Sequence, residues 1–272
     1  MTTSTALTFA IEGIGFWGNG LPDWTAARAF VADGTLPDDA PTKPSPQLLA
    51  PNERRRAPDS VALALEVGQA ACLMAGRDPA TLVSVFASMH GDLSITDYIC
   101  ETLATAPESV SPTKFHNSVH NAAAGYWTIG AGCMAATTAV SAYDCTFAQG
   151  LLEAVVQSRA SNAPVLLVAY DAHSTGSIDP ISHSKGLLAA ALVLNAREDA
   201  QGPRMSLSLR PGAATESGGI LHARFAQNAM APMLPVLELL AAGSSDAVGG
   251  EPLELRASPL QTLLLHSSDA SA

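Results

Sequence analysis

The sequence carries little charge, and little of that charge is basic. Charged residues make up 14% of its 272 positions, with 14 Lys+Arg against 25 Asp+Glu and a formal net charge of −11. Nucleic acids and anionic bilayers are bound through clustered Lys and Arg that displace counterions, so this balance disfavours both as partners. The one basic run, Arg54-Arg55-Arg56, suits a solvated loop or a docking point for an acidic partner. Cysteine is scarce too: Cys72, Cys100, Cys133 and Cys145 are widely spaced without a CxxC pair, which argues against a zinc centre or a disulfide framework. No apolar run approaches the ~20 residues that span a bilayer, the longest being 186–194, and the opening MTTSTALTFAIEG has no basic leader region. The expectation is a soluble protein of the reducing cytoplasm, without membrane insertion, metal or cofactor.

Apolar residues are plentiful at 47%, with alanine very frequent. Either much of the chain faces other protein, as at a large subunit interface, or the composition is Ala-rich with an ordinary surface. A chain of this length can bury the core of one large α/β domain, the arrangement expected over residues 1–272.

Residues 8–14 form a short apolar run that ends in glycines and reads as a buried first strand. Residues 18–59 are rich in Pro, Asp and Gly and should be loop, apart from a short helix near 24–32. From Ser60 the apolar spacing predicts a helix with Asp59 or Ser60 as N-cap and Gly76 as its stop. There follow a strand at 82–88, a helix at 91–101, a loop through SVSPT, a Gly/Ala-rich helical stretch at 117–129, a strand at 137–142 and a helix at 146–159. The segments 164–170 and 186–194 are apolar throughout, the pattern of strands covered on both faces in layered α/β folds. The strand MSLSLR, a helix at 225–242, a Gly/Ser loop and two terminal strands, LELRA and LQTLLLH, complete the expectation.

Four patterns could carry chemistry. Gly13-Ile14-Gly15-Phe16-Trp17-Gly18 fits GxGxxG, but a dinucleotide fingerprint must open a helix, and these glycines run into Asn19-Gly20-Leu21-Pro22; a strand-end turn is expected. His116 and His120 have the i, i+4 spacing that puts two imidazoles on one helix face, yet no third ligand accompanies them, so a packed or interface pair is expected. Cys145 lies at a strand-to-helix junction where a nucleophile could sit, but the neighbouring Asp144 carboxylate would raise its pKa. His173 and His183 flank a polar loop after a strand, without a triad spacing or a GxSxG elbow.

Four stretches together resemble the N-terminal half of the β-ketoacyl synthases of the thiolase-like superfamily: FAIEGIG, SVFASMHGD, SPTKFHNSVHNAAAGYWTIGAG, and AVSAYDCTFAQGLLEA followed by PVLLVAYDA. The third is the most specific, since Asn121, the small residues and the aromatic before Thr-Ile resemble the family's N-x-A-A-G-x-x-S-I helix at its dimer interface. The likeness covers roughly residues 8–196 and implies an α/β, thiolase-like fold truncated to the ketosynthase N-terminal half with a short C-terminal extension.

In that family a nucleophilic cysteine follows a strand written like A-V-S-T-A-C. On this alignment the position falls on Asp144, with Cys145 one residue late, and a one-residue slip at a helix start turns a side chain by about 100°. No HGTGT-like or GFGG-like segment, the family's source of condensing histidines and closing loop, occurs in the sequence. Two kinds of ketosynthase relative keep the fold without the cysteine: one places Gln there and decarboxylates malonyl groups, and the other is the chain-length factor, which joins an active ketosynthase and shapes its acyl tunnel. Asp144 fits the second better. The wording PNERRRAPDSVALALE, ASMHGDLSITDYIC and NSVHNAAAGYW resembles most closely the half-sized ketosynthase-like proteins of aryl-polyene clusters.

The resemblance therefore implies no catalytic residue of the chain's own, a full ketosynthase as heterodimer partner, and an acyl carrier protein met only indirectly. It places the dimer contact on Asn117, Asn121, Ala122, Ala123, Ala124, Gly125, Tyr126, Trp127, Thr138 and Val140, with Tyr126 and Trp127 as anchors, and the tunnel-closing positions on Ile95, Thr96 and Ile99. Two other readings stay open: an independent thioester acyltransferase or hydrolase using Cys145 with His173 or His183, and a homodimeric scaffold.

Overall fold

The computed structural model describes residues 6–215, 217–243 and 251–268. In chain order these form β1 (Leu7–Gly18), α1 (Trp24–Asp33), α2 (Pro51–Arg54), α3 (Asp59–Met74), β2 (Val83–Ala87), α4 (Leu93–Thr105), α5 (Pro112–Asn117), α6 (Ala122–Ala131), β3 (Thr137–Val140), α7 (Thr146–Ser161), β4 (Val165–Asp171), β5 (Leu188–Asn195), β6 (Arg204–Pro211), α8 (Ile220–Phe225), α9 (Leu234–Ala242), β7 (Leu253–Ser258) and β8 (Gln261–Ser268). The strands make one eight-stranded sheet in the order β3-β2-β4-β5-β1-β6-β8-β7. β3, β2 and β4 run parallel, and every other pairing is antiparallel.

Both faces of the sheet's centre are covered, as the unbroken apolar runs require. Along β4, Val165, Leu167 and Ala169 belong to the core on the α7 side, which also takes in residues of α1 and α9, while Leu166, Val168 and Tyr170 belong to the core on the α3 and α6 side. All residues of β4 and β5 are buried. Each Val or Leu so enclosed contributes about 1.5–3 kcal/mol of transfer free energy, which makes this centre the main stabilising layer.

β1 corrects the expectation at its glycines. It runs through them in register with β5 as far as Gly18 opposite Leu188, so the GxGxxG pattern is neither a strand-end turn nor a cradle for phosphate. A Cβ on Gly13 would lie 2.2 Å from the Ala71 carbonyl oxygen, and one on Gly15 2.0 Å from that of Val67. These glycines let the backbone of α3 lie directly on the strand. Gly15→Ala is therefore expected to lower stability by about 2 kcal/mol in a denaturant titration, because a helix backbone cannot give way as a side chain could.

Three helix boundaries also differ from expectation. Pro58 sits at the N-cap of α3 without a side-chain bond, and Ser60 instead donates its hydroxyl to Asp92 Oδ2 at 2.7 Å. The stretch expected as one helix at 117–129 is split between α5 and α6, because Asn117 ends the first and the turn at 118–121 precedes the second. The helix expected at 225–242 is α9 alone after a 3-10 turn at Ala231–Met233, since Pro232 and Pro235 have no N–H to continue a ladder from α8. The Gly/Ser loop falls almost entirely within 244–250, outside the described residues. Among the described residues no helix is long and apolar enough to cross a membrane.

Candidate functional site

Because β2, β3 and β4 are parallel, the loops that leave their carboxyl ends emerge at one end of the strands, where α/β folds place their ligand sites. Asp171, the last residue of β4, is wholly buried and gathers these loops. Its Oδ1 accepts the Ser88 hydroxyl at 2.8 Å and the His90 N–H at 3.1 Å, and its Oδ2 accepts the Met89 N–H at 2.9 Å. Ser88 Oγ in turn accepts the Gly91 N–H at 2.8 Å, and Ser141 beyond β3 donates to the Met89 carbonyl at 3.1 Å. Burial pushes the Asp171 carboxyl up to about 7, against the pull of the three donors.

The junction of β3 and α7 is a tight elbow, and the sequence places the expected nucleophile there. Tyr143 takes φ +54°, and the turn is closed by Cys145 N–H to Ala142 O at 3.1 Å and Thr146 N–H to Tyr143 O at 3.0 Å. Thr146 Oγ1 accepts the Ala142 N–H at 2.9 Å. Asp144 forms an ion pair with Arg256 of β7, a partner that no local sequence signal announces. Cys145 is buried and its Sγ donates to Asp144 Oδ1 at 3.3 Å. Burial, then the hydrogen bond and charge of Asp144, push the thiol up to about 11. At neutral pH only about one molecule in ten thousand then carries a thiolate, the form that attacks an acyl carbonyl.

Histidines do not assist this thiol. Among the described residues His183 Nδ1 pairs with Asp179 Oδ1 at 2.9 Å, and His173 lines a cleft with Ile95, Asp92, Lys114 and Asn117. His116 and His120 do not share a helix face: His116, on α5, meets the Tyr126 ring edge-on, whereas His120, in the turn before α6, bonds the Ser88 carbonyl at 2.7 Å. No cluster of three or more metal-ligating side chains occurs among the described residues.

Asp92 caps α4 by accepting the Ile95 N–H at 3.0 Å, and the Thr96 hydroxyl bonds the Asp92 carbonyl at 3.1 Å. Ile95 is buried and lines the cleft of about 490 Å³ that His173 also borders, while Thr96 and Ile99 are half-buried. The loop that Asp171 ties down at residues 88–90 thus runs directly into the Asp92 cap of α4, the helix that carries Ile95, Thr96 and Ile99.

The residues expected at a dimer contact separate into two groups. Ala123, Ala124 and Trp127 lie in this chain's own core, with Trp127 against Phe86 at a centroid distance of 6.2 Å, so Trp127 is not a surface anchor. Asn117 is buried as well and accepts the Tyr126 hydroxyl at 3.1 Å. Asn121 is exposed, and Ala122, Gly125, Tyr126, Thr138 and Val140 are partly exposed. β3 itself is an edge strand, paired with β2 on one side, and large apolar side chains stand out around it: Ile129 is 76% exposed and Met134 97%.

Residues 24–249 match the family described as beta-ketoacyl synthase, N-terminal domain. Among solved structures, a ketosynthase in complex with its chain length factor from Xenorhabdus doucetiae aligns with a TM-score of 0.70 at 23% identity, over 96% of this chain and 99% of that one. A structure of a type II polyketide acyl carrier protein with its ketosynthase bound to the hexaketide gives 0.72 at 12% identity, over 97% and 100% of the two chains. The ishigamide ketosynthase/chain length factor gives 0.68 at 17%, over 96% and 100%. These likenesses establish a shared fold. No curated protein matches the sequence.

Proposed function

Since the chain belongs to the family of β-ketoacyl synthase N-terminal domains, we propose that it is the non-catalytic, chain-length-factor-like subunit of a heterodimer with a complete ketosynthase. The observation that carries this reading is the elbow: an ion-paired Asp144 stands where the alignment expects the nucleophile, and the thiol beside it is buried with its pKa pushed up to about 11. Condensation needs a thiolate to accept the acyl group before carbon-carbon bond formation, and burial beside the Asp144 carboxylate disfavours that form here. Cys145 has Asp144 as its hydrogen-bond partner instead of His173 or His183, which removes the support for an independent acyltransferase.

The partner's contribution would be the acylated cysteine and the condensing histidines. This chain's contribution would be the open edge of β3 and the α4 residues Ile95, Thr96 and Ile99, which would close the far end of the partner's acyl tunnel. An acidic surface suits that division, because acyl carrier proteins are acidic and would dock mainly on the partner, with Arg54, Arg55 and Arg56 as a minor basic contribution. The product class consistent with the sequence resemblance is a conjugated polyene carried on an acyl carrier protein, extended in the cytoplasm.

The test is co-expression with a complete ketosynthase followed by product analysis. A complex of one copy of each chain is expected, and Thr96→Trp should shift its products by at least one two-carbon unit towards shorter chains, read by mass spectrometry. Products of unchanged length would remove α4 from the tunnel wall.

A further inference from the structure

In the cleft of about 490 Å³ beside α4, the acids are already engaged within the chain and the donors are not. Asp92 accepts the Ser60 hydroxyl at 2.7 Å, the Ser94 hydroxyl at 2.6 Å and the Ile95 N–H at 3.0 Å, and Asp59 pairs with Lys43 at 3.1 Å. By contrast, among the described residues Arg56 and Lys114 form no ion pair and the ring of His173 has no hydrogen-bond partner.

Asn117 adds a buried donor to this set. It is 4% exposed and lines the cleft; its Oδ1 accepts the Tyr126 hydroxyl at 3.1 Å, and its Nδ2 has no partner among the described residues. An amide N–H left unpaired in so enclosed a place costs about 1–3 kcal/mol unless something in the cleft accepts from it. Lys114 Nζ stands 3.6 Å from the centroid of the Tyr98 ring, whose hydroxyl accepts the Ser111 N–H at 3.3 Å, so the ammonium is held at the cleft wall. Beside these donors lie the buried Ile95 and Ala172 and the half-buried Pro58, an apolar patch. A hydrocarbon chain end alone would dehydrate the donors without replacing their bonds, whereas a carboxylate accepts from several at once.

We infer that this cleft is a binding site for a small organic anion, a carboxylate on an apolar body. Arg56, Lys114, His173 and Asn117 Nδ2 surround the carboxylate, and Ile95 and Ala172 meet the body. The site belongs to the isolated chain and takes a free ligand, so it holds whether or not the chain has a ketosynthase as partner.

The test is calorimetric titration of the isolated chain at low ionic strength with hexanoate, with the uncharged hexanamide of the same shape, and with inorganic phosphate, which lacks the apolar body. Hexanoate should saturate one site, with hexanamide and phosphate each at least tenfold weaker. Lys114→Gln, Arg56→Gln and Asn117→Asp should each weaken hexanoate at least fivefold; the last keeps an acceptor for the Tyr126 hydroxyl but replaces the free donor with a like charge. Melting of each ligand-free variant shows that it is folded, and should Asn117→Asp fail to fold, the two exposed cations carry the comparison. Absence of saturable hexanoate binding, or hexanamide binding as tightly, overturns the anion site. Phosphate binding as tightly as hexanoate overturns the role of the apolar body. Hexanoate affinity unchanged in the folded variants overturns the placement in this cleft. None of these results bears on the proposed heterodimer.

Discussion

Ala139→Arg is expected to abolish the complex with a complete ketosynthase while leaving the melting temperature of the isolated chain unchanged. Ala139 is exposed in the middle of β3, paired through its backbone to Phe86 of β2 and covered by nothing on its outer side. An arginine there reaches solvent in the isolated chain and costs little. In a complex built on this edge the same guanidinium would be buried among Ile129, Met134 and Tyr143 without a carboxylate partner, and an unpaired buried charge weakens association by about 3 kcal/mol or more, at least a hundredfold in Kd. Ala123 would be a poor choice for the same test, because it is 1% exposed and a charge there would unfold the chain before any partner was met. Retained affinity in Ala139→Arg, measured by calorimetry, would move the interface elsewhere.

The centre of the sheet was legible because its signal is local. A doubly covered strand must be apolar at every position, and 164–170 and 186–194 are short, unbroken apolar runs of strand length. The same is true of α1, α3 and α7, whose apolar spacing marks them, although the cap of α3 is a proline where a side-chain acceptor was expected. What escaped the sequence depends on contacts between distant segments. Gly13 and Gly15 look like a turn until α3 is laid over them, and Trp127 looks like an interface aromatic until Phe86 and Gly68 close around it. Arg256 stands 112 positions from the Asp144 it neutralises. Asp171 could have been suspected, since an acid that directly continues a fully buried strand must find donors inside the protein.

That carboxylate carries the second large effect. Asp171→Ala is expected to cost about 3–5 kcal/mol, because the Ser88 hydroxyl and the Met89 and His90 N–H groups lose their acceptor together in a largely buried site. The loss should extend to the proposed function, since these donors fix the loop that enters α4, whose Ile95, Thr96 and Ile99 are proposed to close the partner's tunnel. The wild-type group also sets a pH dependence. Its carboxyl is raised from 3.8 to about 7 in the folded chain, so between those values the folded state binds more protons than the unfolded one. Its stabilising contribution is complete below 3.8 and is lost as pH rises through about 7, with a slope on the order of 1 kcal/mol per pH unit. Asp171→Asn cannot titrate, so denaturant midpoints measured across this window should lose that slope. A slope that survives in Asp171→Asn would assign the dependence to another group.

In the proposed role this chain does no acyl chemistry of its own. Intact-mass measurement on the isolated chain, incubated with an acyl-loaded and a malonyl-loaded carrier protein, tests it most directly. The expected result is an unmodified mass and no extended product until a complete ketosynthase is added. An acyl adduct on the isolated chain, followed by an elongated product, would contradict the account.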